Sequence, residues 1–198
     1  MNIIIKLSLL HLAISFLTYI PIYVMIEQIN FYHMVIMYYG VATIAYIVHR
    51  TSHDIRKPEF WFDAHVLGHH YKNYPPSRFH TDEYLFKTNN MMEEADTYVY
   101  TIPIIIFLIT YCKYILGLSF FEFVFVASLI ILHFYAEVYI HEQVHLKKSW
   151  LDKYELYRTI KRLHLIHHKT LHKNYLFTNF LVDHIFGTFE DKKILLTN

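Results

Sequence analysis

An all-α membrane fold is what this sequence predicts: a four-transmembrane-helix bundle built from two hairpins, with a cytosolic helical cap that carries most of the histidines. Three observations lead there. Hydrophobic residues make up 55% of the chain, above the roughly 45–50% of ordinary soluble domains, and they are gathered into long runs. Lysine and arginine are gathered between those runs. The 16 histidines fall mostly into four clusters with helical spacing. A single domain spanning residues 1–198 accommodates all three.

A bilayer is crossed by a helix of about 20 apolar residues, and four stretches approach that length: Ile3–Ile26, Phe31–Val48, Val99–Leu116 and Phe120–Ile140. The first begins with only Lys6, runs longer than a signal peptide core and meets no small-residue cleavage site, so it reads as a span. Of the 18 cationic side chains, 16 lie from Arg50 to Lys87 and from Lys147 to Lys193. The positive-inside rule puts both regions, and both termini, in the cytosol. The short links near Glu27–Asn30 and Gly117–Ser119 then face the opposite side.

In chain order, His11 and His33 sit in apolar sequence of the first hairpin and read as interhelix hydrogen-bonding groups. The second helix is expected to run on through His49 and His53 until Pro58, which cannot continue a helix interior. A new short helix then presents His65, His69 and His70. His80 reads as a loop histidine, and Glu93, Glu94 and Asp96 precede the third span. In the fourth span His133, Glu137, His141 and His145 recur every four residues, so one face is polar and leads into a histidine cluster. Ionisable groups within a span tend to face the bundle interior, which makes Glu137 a candidate pocket residue. The segment Ser149 to His164 alternates apolar and cationic residues as an amphipathic helix lying on the membrane surface does.

The four clusters are His49-Arg-Thr-Ser-His53, His65-Val-Leu-Gly-His69-His70, His141-Glu-Gln-Val-His145 and His164-Leu-Ile-His167-His168. Side chains four apart on a helix stand one turn above each other and can face one ion. Shuffling this composition gives roughly one histidine pair at any fixed spacing by match counting. The chain has five at spacing four: 49/53, 65/69, 141/145, 164/168 and 168/172. One structural zinc takes about four ligands and commonly includes cysteine. The lone Cys112 lies far from the clusters, so thiolate ligation and an internal disulfide are both excluded. Ten imidazoles divide into two ions with about five each. Imidazole suits Fe, Zn, Cu and Ni alike. Ligating histidines commonly donate their second nitrogen to a carboxylate, for which Asp54, Asp63, Glu93 or Glu94 are placed. The two halves also look alike: apolar hairpin, HxxxH, then a cluster ending in two adjacent histidines, so that each half donates five.

These boxes in this order, with the closing Asp183-His-Ile-Phe-Gly-Thr188, resemble the fatty acid hydroxylase/sterol desaturase superfamily of integral-membrane di-iron enzymes. The resemblance covers roughly residues 41–190, and the stretches HEQVH, SWLDKY and HLIHHKTLHKNY are similar to its small, unfused members. It implies that His49, His53, His65, His69, His70, His141, His145, His164, His167 and His168 hold two iron ions, for which zinc can substitute during preparation. It implies O2-dependent hydroxylation of an unactivated C–H of a fatty acyl, sphingolipid or sterol substrate. Electrons are then expected from NAD(P)H through a reductase and a b-type cytochrome, in the endoplasmic reticulum or a bacterial inner membrane. Asn174, before the tail, is a second candidate pocket residue. Two positions depart from the family: box two has three residues between His65 and His69 where two are common, and Leu176 stands where many members have Gly. His172 and His184 are extra and are not expected to ligate.

Other readings stay open at this point. A desaturase or aldehyde-processing member of the same superfamily would share every box. A histidine-rich transition-metal transporter or binding protein would use the same residues without redox chemistry. A membrane haem protein would use His11, His33 and His133 instead. Nucleic-acid binding is not indicated, because the net charge is only +1 and topology already accounts for the cations.

Overall fold

The structure is a computed structural model that describes residues 20–22, 24–26, 29–54, 59–85, 102–176 and 180–192, with the side chain of residue 134 left aside. Most of the expected first span, His11, Pro58, Glu93, Glu94, Asp96 and the start of the expected third span lie outside the described residues. Among those described, every regular element is helical. The one β-type contact is an isolated bridge between Thr81 and Leu146.

Helix α1 spans Phe31–Ser52, 22 residues. Asn30 starts it, its side-chain oxygen accepting from the His33 amide at 3.1 Å, as N-cap residues do for an otherwise orphaned donor. His53 ends it as the C-cap, so the helix stops short of Pro58. Element α2 is a short α-helix, Glu59–Phe62, that continues directly into a π-helix over Asp63–Asn73. Helix α3 is the apolar segment Ile102–Ile115, whose last turn is also a π-helix, Tyr111–Ile115. Gly117 then takes φ +63°, a left-handed conformation that costs glycine little, and the chain reverses into α4, Phe120–Val144, 25 residues. A capping box closes that start: Ser119 Oγ accepts from the Glu122 amide while the Glu122 carboxylate accepts from the Ser119 amide, satisfying two end donors at once.

Helices α1 and α4 are each long and apolar enough to cross a membrane. Only 12% of the apolar window of α4 is buried within the protein, with Phe120, Phe121, Leu132 and Tyr135 turned outward. Packing inside the chain's own core therefore does not explain its apolar character. Between the helices, Met37, Tyr38, Ile104, Leu108, Tyr111, Val126 and Ile130 form the largest buried cluster, with Ile22 and Ile26 against them.

The segment expected as one amphipathic helix divides in two. A 3-10 turn, Trp150–Lys153, is followed by Tyr154 in extended conformation and then by α5, Glu155–Lys169. The break is built by Ser149 and Asp152, which cap the first turn, and by Lys161, whose Nζ reaches Asp152 at 3.1 Å and the Leu146 carbonyl at 2.7 Å. Ten of the 15 residues of α5 are buried. It is an internal strut rather than a helix laid on a surface. The last element, α6, covers Phe180–Ile185.

Helices α1 and α3 meet at Gly40, where a Cβ atom would stand 2.5 Å from Cζ of Phe107. Gly40→Val should lower stability by about 1–3 kcal/mol through overpacking, read as a lower midpoint of thermal unfolding in detergent. The double variant Gly40→Val/Phe107→Ala should recover part of the loss, since residues in contact are not additive. An unchanged midpoint for Gly40→Val would contradict this contact.

Candidate metal centre

All ten box histidines come together, and each element delivers its share at one end. The last turn of α1 and its cap present His49 and His53. The last turn of α4 and its cap present His141 and His145. The C-terminal half of α5 presents His164, His167 and His168. The π-helix presents His65, His69 and His70. Eight of these rings belong to residues at most 9% exposed.

Two groups form, each of which could hold a metal ion. His49, His53, His65, His70 and His167 make the first, and His69, His141, His145 and His164 the second, with the ligand atoms of each group within 4.8 Å of one another. In the first, Nε2 atoms lie 2.8 Å apart for His49 and His65, 3.1 Å for His65 and His70 and 3.1 Å for His70 and His167. In the second the separation is 3.1 Å for His145 and His164. His168 stands beside it, with Nε2 3.2 Å from that of His164.

The π-helix decides who goes where. Its hydrogen bonds run from residue i to i+5, as in the 2.9 Å bond from the Tyr74 amide to the His69 carbonyl. Residues five apart therefore stack, and His65 pairs with His70. His69 turns to the other group. This corrects the expectation that 65 and 69 face one ion, and it absorbs the additional residue of box two without losing His65. The pairs 49/53 and 141/145, on ordinary α-helix, stay together.

Each half does supply five histidines, but the groups are not the halves. The first group takes four from the N-terminal half and His167 from the other. The second takes His69 from the N-terminal half and the rest from the C-terminal one. The exchanged residues, His69 and His167, are each the first of an adjacent pair, so the internal repeat of the sequence is expressed as a reciprocal swap.

Hydrogen bonding fixes how these rings are protonated. His145 Nδ1 donates to the Phe79 carbonyl at 3.2 Å, His167 Nδ1 to that of Lys173 at 2.7 Å and His168 Nδ1 to that of Tyr74 at 2.8 Å. A carbonyl can only accept, so Nδ1 carries the proton and Nε2 is left with a bare lone pair. The ring of His49 likewise bonds to the Tyr175 backbone. Among the described residues, His145, His167, His168 and His49 are oriented by backbone groups; of the carboxylates expected from the sequence, Asp63 is exposed at the start of the π-helix, and Glu93 and Glu94 lie outside the described residues.

The bare Nε2 atoms of His145, His167 and His168 each face another imidazole, and are satisfied by a proton on that ring or by a cation between the two. For metal–nitrogen bonds of about 2.1 Å, ligands at right angles are about 3.0 Å apart, which matches the observed spacings. His69 Nε2 and both ring nitrogens of His53 are buried without a hydrogen-bond partner among the described residues, the condition of ligands made for an ion. The donor set fits a transition metal. Burial, reinforced by neighbouring imidazoles, holds His69, His70, His164 and His168 well below the ordinary histidine value and lowers His167 to about 3. These rings are neutral at pH 7, the form that binds metal.

Two aromatic residues that motif reading passed over complete the site. The ring of Tyr74 stacks on His145 with centroids 3.9 Å apart. The ring of Tyr175 lies 5.5 Å from His49, 5.4 Å from His53 and 5.9 Å from His167. The signal was present: Lys72-Asn73-Tyr74 and Lys173-Asn174-Tyr175 repeat after each adjacent histidine pair. Of the two candidate pocket residues, Asn174 is buried and its amide is engaged with backbone, donating to the Leu163 and Glu190 carbonyls and accepting from the Glu190 amide. Glu137 faces His133 at 3.9 Å on α4. His33 is engaged at 2.9 Å with the Tyr111 hydroxyl. His172 and His184 are exposed and outside both groups. His80 is half-buried, lowered to about 4 by burial and by Lys161.

No protein-family model matches the sequence, and comparison with curated proteins and with solved structures finds no match.

The protonation argument predicts an acid limit. In the unfolded chain these rings take up protons below their ordinary value of 6.5, whereas folded His167 does so only near 3. More protons are bound by the unfolded state in that window, so stability falls as pH falls through it. The metal-free protein should melt at a lower temperature at about pH 5 than at about pH 7.5. Equal midpoints would mean that the histidines are not buried in neutral form.

Proposed function

We propose that this chain is an O2-dependent di-iron membrane oxidoreductase that hydroxylates an unactivated C–H of a lipid, as its resemblance to the fatty acid hydroxylase/sterol desaturase superfamily implies. The observation that carries the reading is the pair of interlocked, all-imidazole groups at the ends of apolar helices. A structural zinc needs about four ligands and no open position. Ten imidazoles in two adjoining groups suit two redox metals that share one reaction space.

In this reading the chain forms four spans in two hairpins, and α2, α5 and the loops beside them form a cytosolic cap over the histidines. His49, His53, His65, His70 and His167 hold one ion, and His69, His141, His145, His164 and His168 the other. When bound, the two irons supply the activation of O2 that no side chain can perform. The balance of hydroxylation is one oxygen atom into the C–H bond and one into water, with two electrons and two protons. The electrons come from NAD(P)H through a reductase and a b-type cytochrome docking on the cationic cytosolic side.

The chain's own residues bind, orient and exclude. The carbonyls of Tyr74, Phe79, Lys173 and Tyr175 keep their histidines in the tautomer that points Nε2 inward. The ring of Tyr74 covers the second group at His145 and that of Tyr175 covers the first beside His49, His53 and His167. The outward apolar face of α4 lets a lipid chain approach from the hydrocarbon, and His133 with Glu137 marks a polar path along the same helix toward His141. The two groups lie beyond the apolar stretches rather than along them, which favours chemistry on a lipid over permeation of metal. Desaturation uses the same parts, and product analysis separates it.

The test is metal content and lipid products of membranes containing wild-type protein beside His141→Ala and His141→Ala/His145→Ala. Wild type should hold about two transition-metal ions per chain by the ligand count, zinc included, and yield an oxidised lipid only with O2 and reductant. His141→Ala should stay in the membrane and lose turnover. Full activity of that variant, or one ion or none in the wild type, would reject the proposal.

A further inference from the structure

Each group is aimed by its own loop. The carbonyls of Tyr74 and Phe79 orient His168 and His145, at the second group, while the carbonyl of Lys173 and the Tyr175 backbone orient His167 and His49, at the first. The loop after the π-helix is held by the bridge at Thr81, whose amide donates to the His145 carbonyl at 2.9 Å and whose carbonyl accepts from the Lys147 amide at 2.8 Å. Among the described residues the loop after α5 has no such bridge. It turns at Asn174, with φ +53°, and is then gripped by one carboxylate.

That carboxylate is Asp183, on α6 and completely buried. Its Oδ1 accepts from the Tyr175 amide at 2.8 Å and from the Thr188 hydroxyl at 2.7 Å, and its Oδ2 accepts from the Leu176 amide at 2.8 Å. Burial pushes it up to about 6 while these donors pull it down, so at neutral pH it is an ionised acceptor. Gly187, with φ +70°, brings Thr188 back to it. The Thr188 carbonyl also accepts from the Asn174 amide at 3.0 Å. The left-handed residue of the turn is Asn174, so Leu176 stands where the family has glycine without strain, its amide serving Asp183 instead.

We propose that Asp183, braced by Thr188, is a positioning residue for one group only: it sets the 173–176 turn that aims His49 and His167, and so sets the affinity of the first group while leaving the second unaffected. This rests on the reading that both groups bind metal. Asp183 touches no histidine of either group in this arrangement; it acts through the backbone. Outer partners of ligating histidines are worth about 10–100-fold in metal affinity, and this carboxylate controls two of them together.

The experiment is titration of the metal-free full-length protein in detergent with Co2+, following the ligand-field absorption of each binding event. The wild type should show two events. Asp183→Asn places an amide N–H2 against a backbone N–H and should weaken one event by about 10–100-fold while the other keeps its wild-type affinity. Adding His141→Ala to it should remove the event that remained. Thr188→Val, which deletes one donor and keeps both amide bonds, should weaken the same event by a smaller factor. It carries the test if Asp183→Asn does not fold. Two wild-type events in Asp183→Asn, or equal weakening of both events in Thr188→Val, would overturn the proposal. A wild type that binds no Co2+ would instead remove the metal reading on which it stands.

Discussion

Imidazole nitrogens held 2.8–3.2 Å apart in a buried cluster are the constraint around which the rest is built. Buried imidazoles cannot relieve one another by ionising, because neighbouring positive charges in a medium of low dielectric are worse than neutral rings. Carbonyls hold the other nitrogens of His145, His167 and His168, so their bare Nε2 atoms are met either by a proton on the facing ring or by a cation. In the metal-binding reading the ion displaces those protons, and folding of this part of the chain is coupled to its binding.

The helices contribute more than scaffolding. His49 and His53 lie at the C-terminal end of α1, His141 and His145 at that of α4, and His164, His167 and His168 in the last turns of α5. A helix C-terminus carries roughly half a negative charge. Three such ends directed at one region favour cations there without placing any carboxylate among the ligands, which leaves the imidazoles as the inner shell and the field as a background.

Much of this was legible in the sequence because α-helical periodicity is a strong signal. It fixed the pairs 49/53 and 141/145, the apolar helices and the convergence of the boxes. It misled at box two, where the period changes from about four to five and redistributes His65, His69 and His70. It also misled over the segment after α4, where alternating apolar and cationic residues gave no sign that Tyr154 is extended or that Lys161 is buried as a tie between Asp152 and Leu146. The orienting carbonyls were illegible in principle, since every residue has one. Asn174 and Asp183 were visible as residues, yet their work is to hold backbone, and only coordinates reveal which backbone.

The reciprocal exchange of His69 and His167 has a consequence for the order of events as the chain is made. His70 and His167 touch across 97 residues of sequence, so the first group, although four-fifths N-terminal, lacks a ligand until α5 has left the ribosome and docked. Contacts this distant in sequence form late because the intervening loop must first be closed. The N-terminal half emerges earlier with four of the first group's imidazoles and without the fifth. Neither site can be finished as a separate event, and metal insertion becomes a step that follows synthesis and docking of α5. A nascent fragment is thereby kept from holding a metal ion at a half-built centre.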